Sequence, residues 1–102
     1  MTRTENWNDD ISLYVKNRLK DKLILVGEIV EGTAKELCPV DTGNLRGSIN
    51  SQLGDDGLSV IVGTPVEYAP FVEFGTQFMG GTPFLRAGLL MNKAKILKVL
   101  NL

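Results

Sequence analysis

The first third of the chain has a hydrophobic pattern with the period of an α-helix. Between residues 11 and 37 the apolar side chains recur mainly at steps of three, four and seven, at Ile11, Val15, Leu19, Val26, Ile29, Val30, Ala34 and Leu37. Pro39 marks the end of this helix, whereas Gly27 and Gly32 predict a kink or a close contact within it. A helix of about 40 Å is too long to bury its whole length in so small a chain. We therefore expect part of it to contact another chain.

The middle of the chain predicts a β-hairpin followed by a short helix. Residues 49–53 and 58–64 have strand patterns, and the turn sequence Gly54-Asp55-Asp56-Gly57 separates them. Pro70 suits the first turn of the short helix, and Gly75 suits the position just after its end.

The last segment predicts one helix from about Phe84 to Leu100, opened by Pro83. Its apolar residues form two groups on the helical wheel, one with Leu85, Leu89, Ile96 and Leu100 and the other with Ala87, Leu90, Ala94 and Leu97. Lys93 and Lys98 separate the groups. The pattern favours one face for the core and one for a neighbouring subunit. The alternative is that both faces are covered within the monomer.

Length and composition predict a single domain, residues 1–102. The hydrophobic fraction of 43% and the charged fraction of 23% are those of an ordinary soluble globular protein. Residues 1–8 precede the predicted helix caps, Asp9 or Asp10, and are polar, so we expect a flexible N-terminal tail without the apolar core of a signal peptide. No run of about 18 apolar residues occurs, so we expect no membrane span.

The chain has no histidine, and Cys38 is its single cysteine. These counts remove histidine-based acid–base chemistry, Ser–His and Cys–His nucleophiles, and an intrachain disulfide. Cys38 is expected to be a small buried hydrophobic residue. We expect no enzyme, and no catalytic, cofactor-binding or metal-binding residues.

The aromatic and charged residues are unevenly distributed. Five of the seven aromatic residues lie within seventeen positions, at Tyr68, Phe71, Phe74, Phe78 and Phe84. A ligand pocket, a platform for stacking nucleobases or core packing would explain them. Core packing is favoured over nucleic-acid binding because residues 67–82 contain no lysine or arginine. Residues 39–82 carry one basic and five acidic side chains, whereas residues 83–102 carry four basic and no acidic ones.

Three pieces of the chain together resemble a known family. They are Pro39-Val40-Asp41-Thr42-Gly43-Asn44-Leu45-Arg46, then Val62-Gly63-Thr64 with Tyr68-Ala69-Pro70-Phe71-Val72-Glu73-Phe74-Gly75-Thr76, then Pro83-Phe84-Leu85-Arg86. They resemble the small tail-completion or head–tail joining proteins of long-tailed bacteriophages and prophages, over about residues 10–100. Family members often carry a second proline shortly after the last piece, where this chain has Ala87-Gly88.

The resemblance implies an α+β domain with a long N-terminal helix, a small antiparallel β-sheet, a short helix and a C-terminal helix. It implies a structural virion protein that is assembled in the bacterial host cytoplasm and located at the head–tail interface. Its expected partners are itself in a ring oligomer, a hexamer by this resemblance; the phage tail tube or tail terminator protein; and a head connector or stopper protein. No membrane, direct nucleic-acid contact or cofactor is expected.

The candidates for an assembly interface are Arg46, Glu67, Glu73, Phe78, Arg86, Leu90, Lys93, Leu97 and Lys98. Arg46 is spaced to reach Asp41 across one turn or to pair with a neighbouring subunit, and Asp41 is favoured as a cap. Acidic and basic residues on opposite edges of a ring would favour head-to-tail association. Two other classes are kept as alternatives, a small regulatory or nucleic-acid-binding protein that uses the basic C-terminal helix, and a small hydrolase that uses Asp41 or Cys38.

Overall fold

The computed structural model describes residues 2–39, 43–77 and 80–101, with the side chains of residues 16–39, 44–77 and 80–101. Within these ranges the elements follow in the order α1 (Thr2–Leu37), α2 (Gly43–Ser48), β1 (Asn50–Leu53), β2 (Val60–Gly63), α3 (Ala69–Phe74), α4 (Leu85–Met91) and α5 (Lys93–Leu100). The predicted α+β fold is confirmed.

Helix α1 is longer than predicted and packs through its second half. It begins at Thr2, before the expected caps at Asp9 and Asp10. The buried residues among its described side chains are Leu23, Val26, Gly27, Val30 and Ala34. The radius of gyration is 17.7 Å, against about 13 Å for a compact chain of this length. The molecule is therefore elongated, as a helix of 36 residues in so small a chain requires. The flexibility of residues 1–8 stays a prediction.

The hairpin is confirmed, and it packs on α1 at Gly27. Strands β1 and β2 are antiparallel, with Asn50 opposite Gly63 and Leu53 opposite Val60. A Cβ atom at Gly27 would lie 2.8 Å from Val60 Cγ2, so the absence of a side chain permits this approach. The close contact predicted at Gly27 is therefore present. At Gly32, in contrast, a Cβ atom would meet nothing within 4 Å.

The helix-to-hairpin junction contains a short helix that the sequence analysis did not predict. This helix, α2, is six residues long. Its Leu45 and the following Ile49 are almost fully buried, so apolar burial stabilises a helix that is too short to be stable by itself. The predicted cap Asp41 lies outside the described residues. Helix α3 is as expected, with Pro70 in its first turn and Gly75 after its end at φ 84°.

The C-terminal segment forms two helices, whereas the sequence predicted one. Asn92 separates α4 from α5, and its φ and ψ of −104° and 10° are not those of a regular α-helix. Its Nδ2 donates hydrogen bonds to Thr33 Oγ1 at 2.8 Å and to Gly88 O at 2.7 Å. These bonds fix a buried polar side chain against α1. Helix α5 then returns along α1, where Lys22 Nζ donates a hydrogen bond to Asn101 O at 2.9 Å.

The core lies where α1, α2, α3 and the start of α4 meet. Its buried members are Ala34, Cys38, Leu45, Ile49, Ala69 and Phe84. The expectation that Cys38 is buried is confirmed. The expectation that the aromatic residues form core is correct for Phe84 alone among those described, because Tyr68, Phe71 and Phe74 are exposed. No described element covers α3 on its outer side, and the sequence pattern contains no signal for that.

Candidate assembly surface

Glu73, at the end of α3, binds the first backbone N–H groups of α4. Its Oε1 accepts hydrogen bonds from the N–H groups of Phe84 and Leu85 at 3.1 and 2.8 Å. Its Oε2 accepts them from the N–H and the Nε of Arg86 at 3.2 and 2.8 Å. Because the first N–H groups of a helix have no partner within it, a carboxylate from another helix satisfies them here. Glu73 is 3% exposed, and it fixes the position of α4 relative to α3.

Arg86 covers this contact from the solvent side. Its Nη2 donates to the backbone oxygen of Glu73 at 3.2 Å, and its guanidinium lies 4.6 Å from the centroid of the Phe74 ring, within cation–π range. A groove of about 410 Å³ lies beside this pair and is lined by Val66, Glu67, Pro70, Phe74, Leu85 and Arg86. The groove is apolar, with Glu67 and Arg86 as its exposed charges.

The surroundings of Glu73 keep its carboxylate ionised. Burial alone would raise the pKa of Glu73, but the hydrogen bonds from Arg86 and from the backbone N–H groups of Leu85, Arg86 and Phe84 outweigh burial and lower it. The pKa of Glu31 is also lowered, although burial opposes this, because Lys35 and Ser51 donate hydrogen bonds to its carboxylate. Both carboxylates therefore stabilise the fold when they are charged.

The outer face of α4 and α5 is apolar and open to solvent. Leu90 is 68% exposed and Leu97 is 61% exposed. Lys93 and Lys98 are exposed on either side of Leu97. The less exposed side is formed by Gly88 and Asn92, which contact α1, and by the half-buried apolar residues Leu85, Ile96, Val99 and Leu100. The second apolar face that the sequence predicted is thus not covered within the described chain.

The sequence matches the model of a protein family described as "Bacteriophage HK97-gp10, putative tail-component" over residues 9–75. The match covers more than half of the chain. This chain belongs to that family. No curated protein and no solved structure matches it. As an HK97-gp10-like protein it is a bacteriophage tail component, and hence a structural protein of the virion.

The family match has a clear limit within the fold. It includes α1 from residue 9, the hairpin and α3, and it ends at Gly75, before α4 and α5. In this HK97-gp10-like chain, Glu73 therefore links the matched segment to the helices that carry the open apolar face. Among the described residues, no helix is long and apolar enough to cross a bilayer, and no three His, Cys, Asp or Glu side chains gather as a metal site would require.

The remaining interface candidates are dispersed over the molecule. Arg46 is half-buried in α2, where its Nη2 donates to Cys38 O at 2.7 Å and its buried Nε has no hydrogen-bond partner among the described residues. Glu67 is exposed, and Phe78 lies outside the described residues. Glu73 and Arg86 were expected on two edges of a ring, but the structure joins them within one chain. Contact of any candidate with a neighbouring subunit stays a prediction.

Sequence reasoning missed the glycines and the asparagine that fix these helices. A Cβ atom at Gly88 would lie 3.1 Å from Val30 O, and one at Gly81 would lie 2.5 Å from the backbone carbon of Phe74. Gly88 therefore permits α4 to approach α1, and Gly81 permits the chain to pass close to the end of α3. The available signal was a glycine within an apolar helical pattern, which often marks close packing. Asn92 gave no local signal for its contact with Thr33.

Proposed function

We propose that this HK97-gp10-like protein joins or completes the phage tail at its head-proximal end, and that it acts there as a ring-like oligomer. The observation that carries this proposal is the open apolar face of α4 and α5, centred on Leu90 and Leu97. Single-chain proteins rarely leave contiguous apolar patches uncovered, and large ones usually mark protein–protein contacts.

The proposed partners are of two kinds. Other copies of the chain form the ring, for which the family resemblance indicates a hexamer. The tail tube or tail terminator protein contacts one side of the ring, and a head connector or stopper protein contacts the other. A ring can present the same surface many times to a symmetric tail, so weak individual contacts add up.

We further propose that the role is structural and not enzymatic. The sequence has no histidine, and Cys38 is 1% exposed. The Glu73 carboxylate already accepts four hydrogen bonds from its own chain, which leaves little capacity for acid–base work. These observations support a protein whose function is carried by its surfaces.

The test uses the phage or prophage that encodes the chain. We expect antibody labelling of purified virions to mark the head-proximal end of the tail. Leu97→Glu should produce separated heads and tails, because a charge on the open face prevents docking. Leu25→Glu is the matched control, since Leu25 is also exposed but lies on α1. Virions that lack the protein, or labelling elsewhere on the particle, would refute the proposed position.

A nucleic-acid-binding role is the second candidate, because Lys93, Lys95 and Lys98 are all exposed on α5. Phosphate binding by these lysines would depend strongly on salt. Gel-shift assays with duplex and single-stranded DNA at 20 and 200 mM salt decide the matter. The absence of retardation at the lower salt concentration excludes this role.

A further inference from the structure

Acidic and basic residues are separated along the second half of the chain. No lysine or arginine occurs from Gly47 to Leu85, and no aspartate or glutamate occurs from Phe74 to Leu102. The buried contact between Glu73 and Arg86 uses one charge of each sign. The charges that remain are exposed. The acidic ones are Asp55, Asp56 and Glu67, and the basic ones are Lys93, Lys95 and Lys98.

The outer face of the hairpin combines an apolar centre with acidic residues. Val60 packs towards α1, so the neighbouring Ile61 points to the opposite side, where it is 55% exposed. A groove of about 450 Å³ surrounds Ile61 and is lined by Asn50, Gln52, Gly63, Thr64 and Pro65. Asp55 and Asp56 lie in the turn at the tip of the same hairpin. We name this surface the hairpin face.

The outer side of α5 has the complementary arrangement. Leu97 is its apolar centre, and Lys93 and Lys98 lie on either side of it. We name this surface the α5 face. Each surface thus presents a large exposed aliphatic side chain, and the exposed charges on the two elements have opposite signs, acidic at the turn of the hairpin and basic on α5.

The two faces do not neutralise each other within one chain. The hairpin and α5 both pack on α1, and they make little contact with each other in the part of the chain that the structure describes. The ion pairs among the described residues are Glu31–Lys35 and Glu73–Arg86, so neither Asp55 nor Lys93 is paired there. Among the described residues neither face is covered, so both are accessible to a second copy of the chain.

We propose that the α5 face of one copy docks on the hairpin face of the next copy, with Leu97 against Ile61 and with Lys93 and Lys98 facing Asp55 and Asp56. This inference rests on the proposed oligomerisation and names its two surfaces. Because the surfaces differ, the contact is heterologous and repeats from copy to copy, which produces a closed ring or an open filament. The opposite charges select this pairing over contact between two identical faces.

Charge reversal tests the proposal with a built-in rescue. Lys93→Glu/Lys98→Glu makes both faces acidic, and Asp55→Lys/Asp56→Lys makes both basic. Each variant alone should assemble at a concentration about tenfold higher than the wild type, or not at all. An equimolar mixture should assemble again, because each acidic face then meets a basic one. Glu28→Lys/Glu36→Lys is the control matched to the aspartate variant, since these exposed glutamates lie on the second half of α1, which packs within the chain, and their reversal changes the net charge equally.

Sedimentation velocity measures the assemblies, and a disulfide measures the contact itself. Ile61→Cys and Leu97→Cys, mixed as separate proteins with dissolved oxygen as the oxidant, should form an intermolecular disulfide, whereas each alone should form far less. The native Cys38 is buried and does not compete. The proposal fails if the charge-reversed variants assemble like the wild type, if mixing restores nothing, or if the wild type stays monomeric at the highest attainable concentration.

These outcomes can be separated from those of the proposed function. If the protein labels the tail end but its assembly is unchanged by charge reversal, the proposed function is retained and the contact between the two faces is refuted. Mixing rescue in a protein that is absent from virions would support the two faces and refute the position in the tail.

Discussion

Arg86 donates two hydrogen bonds to the same oxygen of Glu73, one from its backbone N–H at 3.2 Å and one from its Nε at 2.8 Å. The carboxylate thereby fixes both the first turn of α4 and the side chain that shields it. Because α4 leads directly into α5, this contact also positions the α5 face relative to the hairpin face.

Removal of the Glu73 carboxylate should strongly destabilise the protein. Glu73→Ala leaves three backbone N–H groups of α4 and the Arg86 side chain without their acceptor, so we expect the free energy of unfolding to fall by about 2–4 kcal/mol. Urea unfolding followed by circular dichroism measures it. Glu67→Ala is the control, because Glu67 is exposed beside the same groove, and it should change the value by less than about 0.5 kcal/mol. Equal effects of the two substitutions would contradict the role given to Glu73.

The stability should decrease in acid, and Glu73 should account for part of this decrease. The pKa of Glu73 is lower in the folded protein than in the unfolded chain, because the hydrogen bonds from Arg86 and the backbone N–H groups outweigh the effect of burial. The stabilisation is therefore fully present above the unfolded pKa, and it is lost as the pH falls through the lower folded value. Glu73→Gln should be less stable at pH 7 and should lose less stability between pH 5 and pH 3.

Glu31 contributes to acid sensitivity in the same direction, since its pKa is also lowered. Glu31→Gln is the reference variant for this titration, because it removes the other carboxylate whose pKa is lowered in the folded protein. Denaturant midpoints at half-unit pH steps give the slopes for each protein. A Glu73→Gln slope identical to that of the wild type would show that this carboxylate does not titrate differently on folding.

The two glycines of α1 should respond oppositely to alanine. Gly32→Ala should raise the stability by about 0.5–1 kcal/mol, because alanine favours a helix and the added methyl group meets open space. Gly27→Ala should lower it by about 1–3 kcal/mol, because the methyl group would overlap Val60 Cγ2 and crowd Ser51. Thermal and urea unfolding of both variants test this contrast. Stabilisation by both would mean that the hairpin does not pack at Gly27.

Asn92 and Thr33 should be energetically coupled. Asn92→Ala removes hydrogen bonds to Thr33 Oγ1 and Gly88 O from a buried site, so we expect a loss of about 1–2 kcal/mol. Thr33→Val removes one of these partners. In a double-mutant cycle, the second substitution should cost less when the first is present, with a coupling of at least about 0.5 kcal/mol. Additive effects would argue against a direct bond.

The sequence was sufficient to predict the elements that local patterns determine. Local sequence determines the helical pattern of α1, the hairpin around Gly54–Gly57 and the end of α3 at Gly75. The structure contains all three. The break at Asn92 depends on Thr33, which is 59 positions away. No window of sequence contains that contact.

The candidate surface was predicted less completely for the same reason. The outer position of Leu90 and Leu97 followed from the helical wheel. The charges of Glu73 and Arg86 indicated a surface role, because an isolated glutamate is rarely buried. Glu73 can be buried because it accepts hydrogen bonds from the first turn of α4. These bonds exist only because the fold brings that turn against the end of α3. The exposure of Phe71 and Phe74 likewise depends on the tertiary structure, in which no described element covers the outer side of α3.

The bond between Lys22 and the carbonyl of Asn101 spans 79 positions of the chain, and it has a consequence during synthesis. The ribosome completes α1 long before it makes the helices that cover Val30 and Ala34. In that interval the apolar side of α1 is open to chaperones and to sister chains growing on the same message. Productive folding of the nascent protein therefore has to wait until α4 and α5 have been translated.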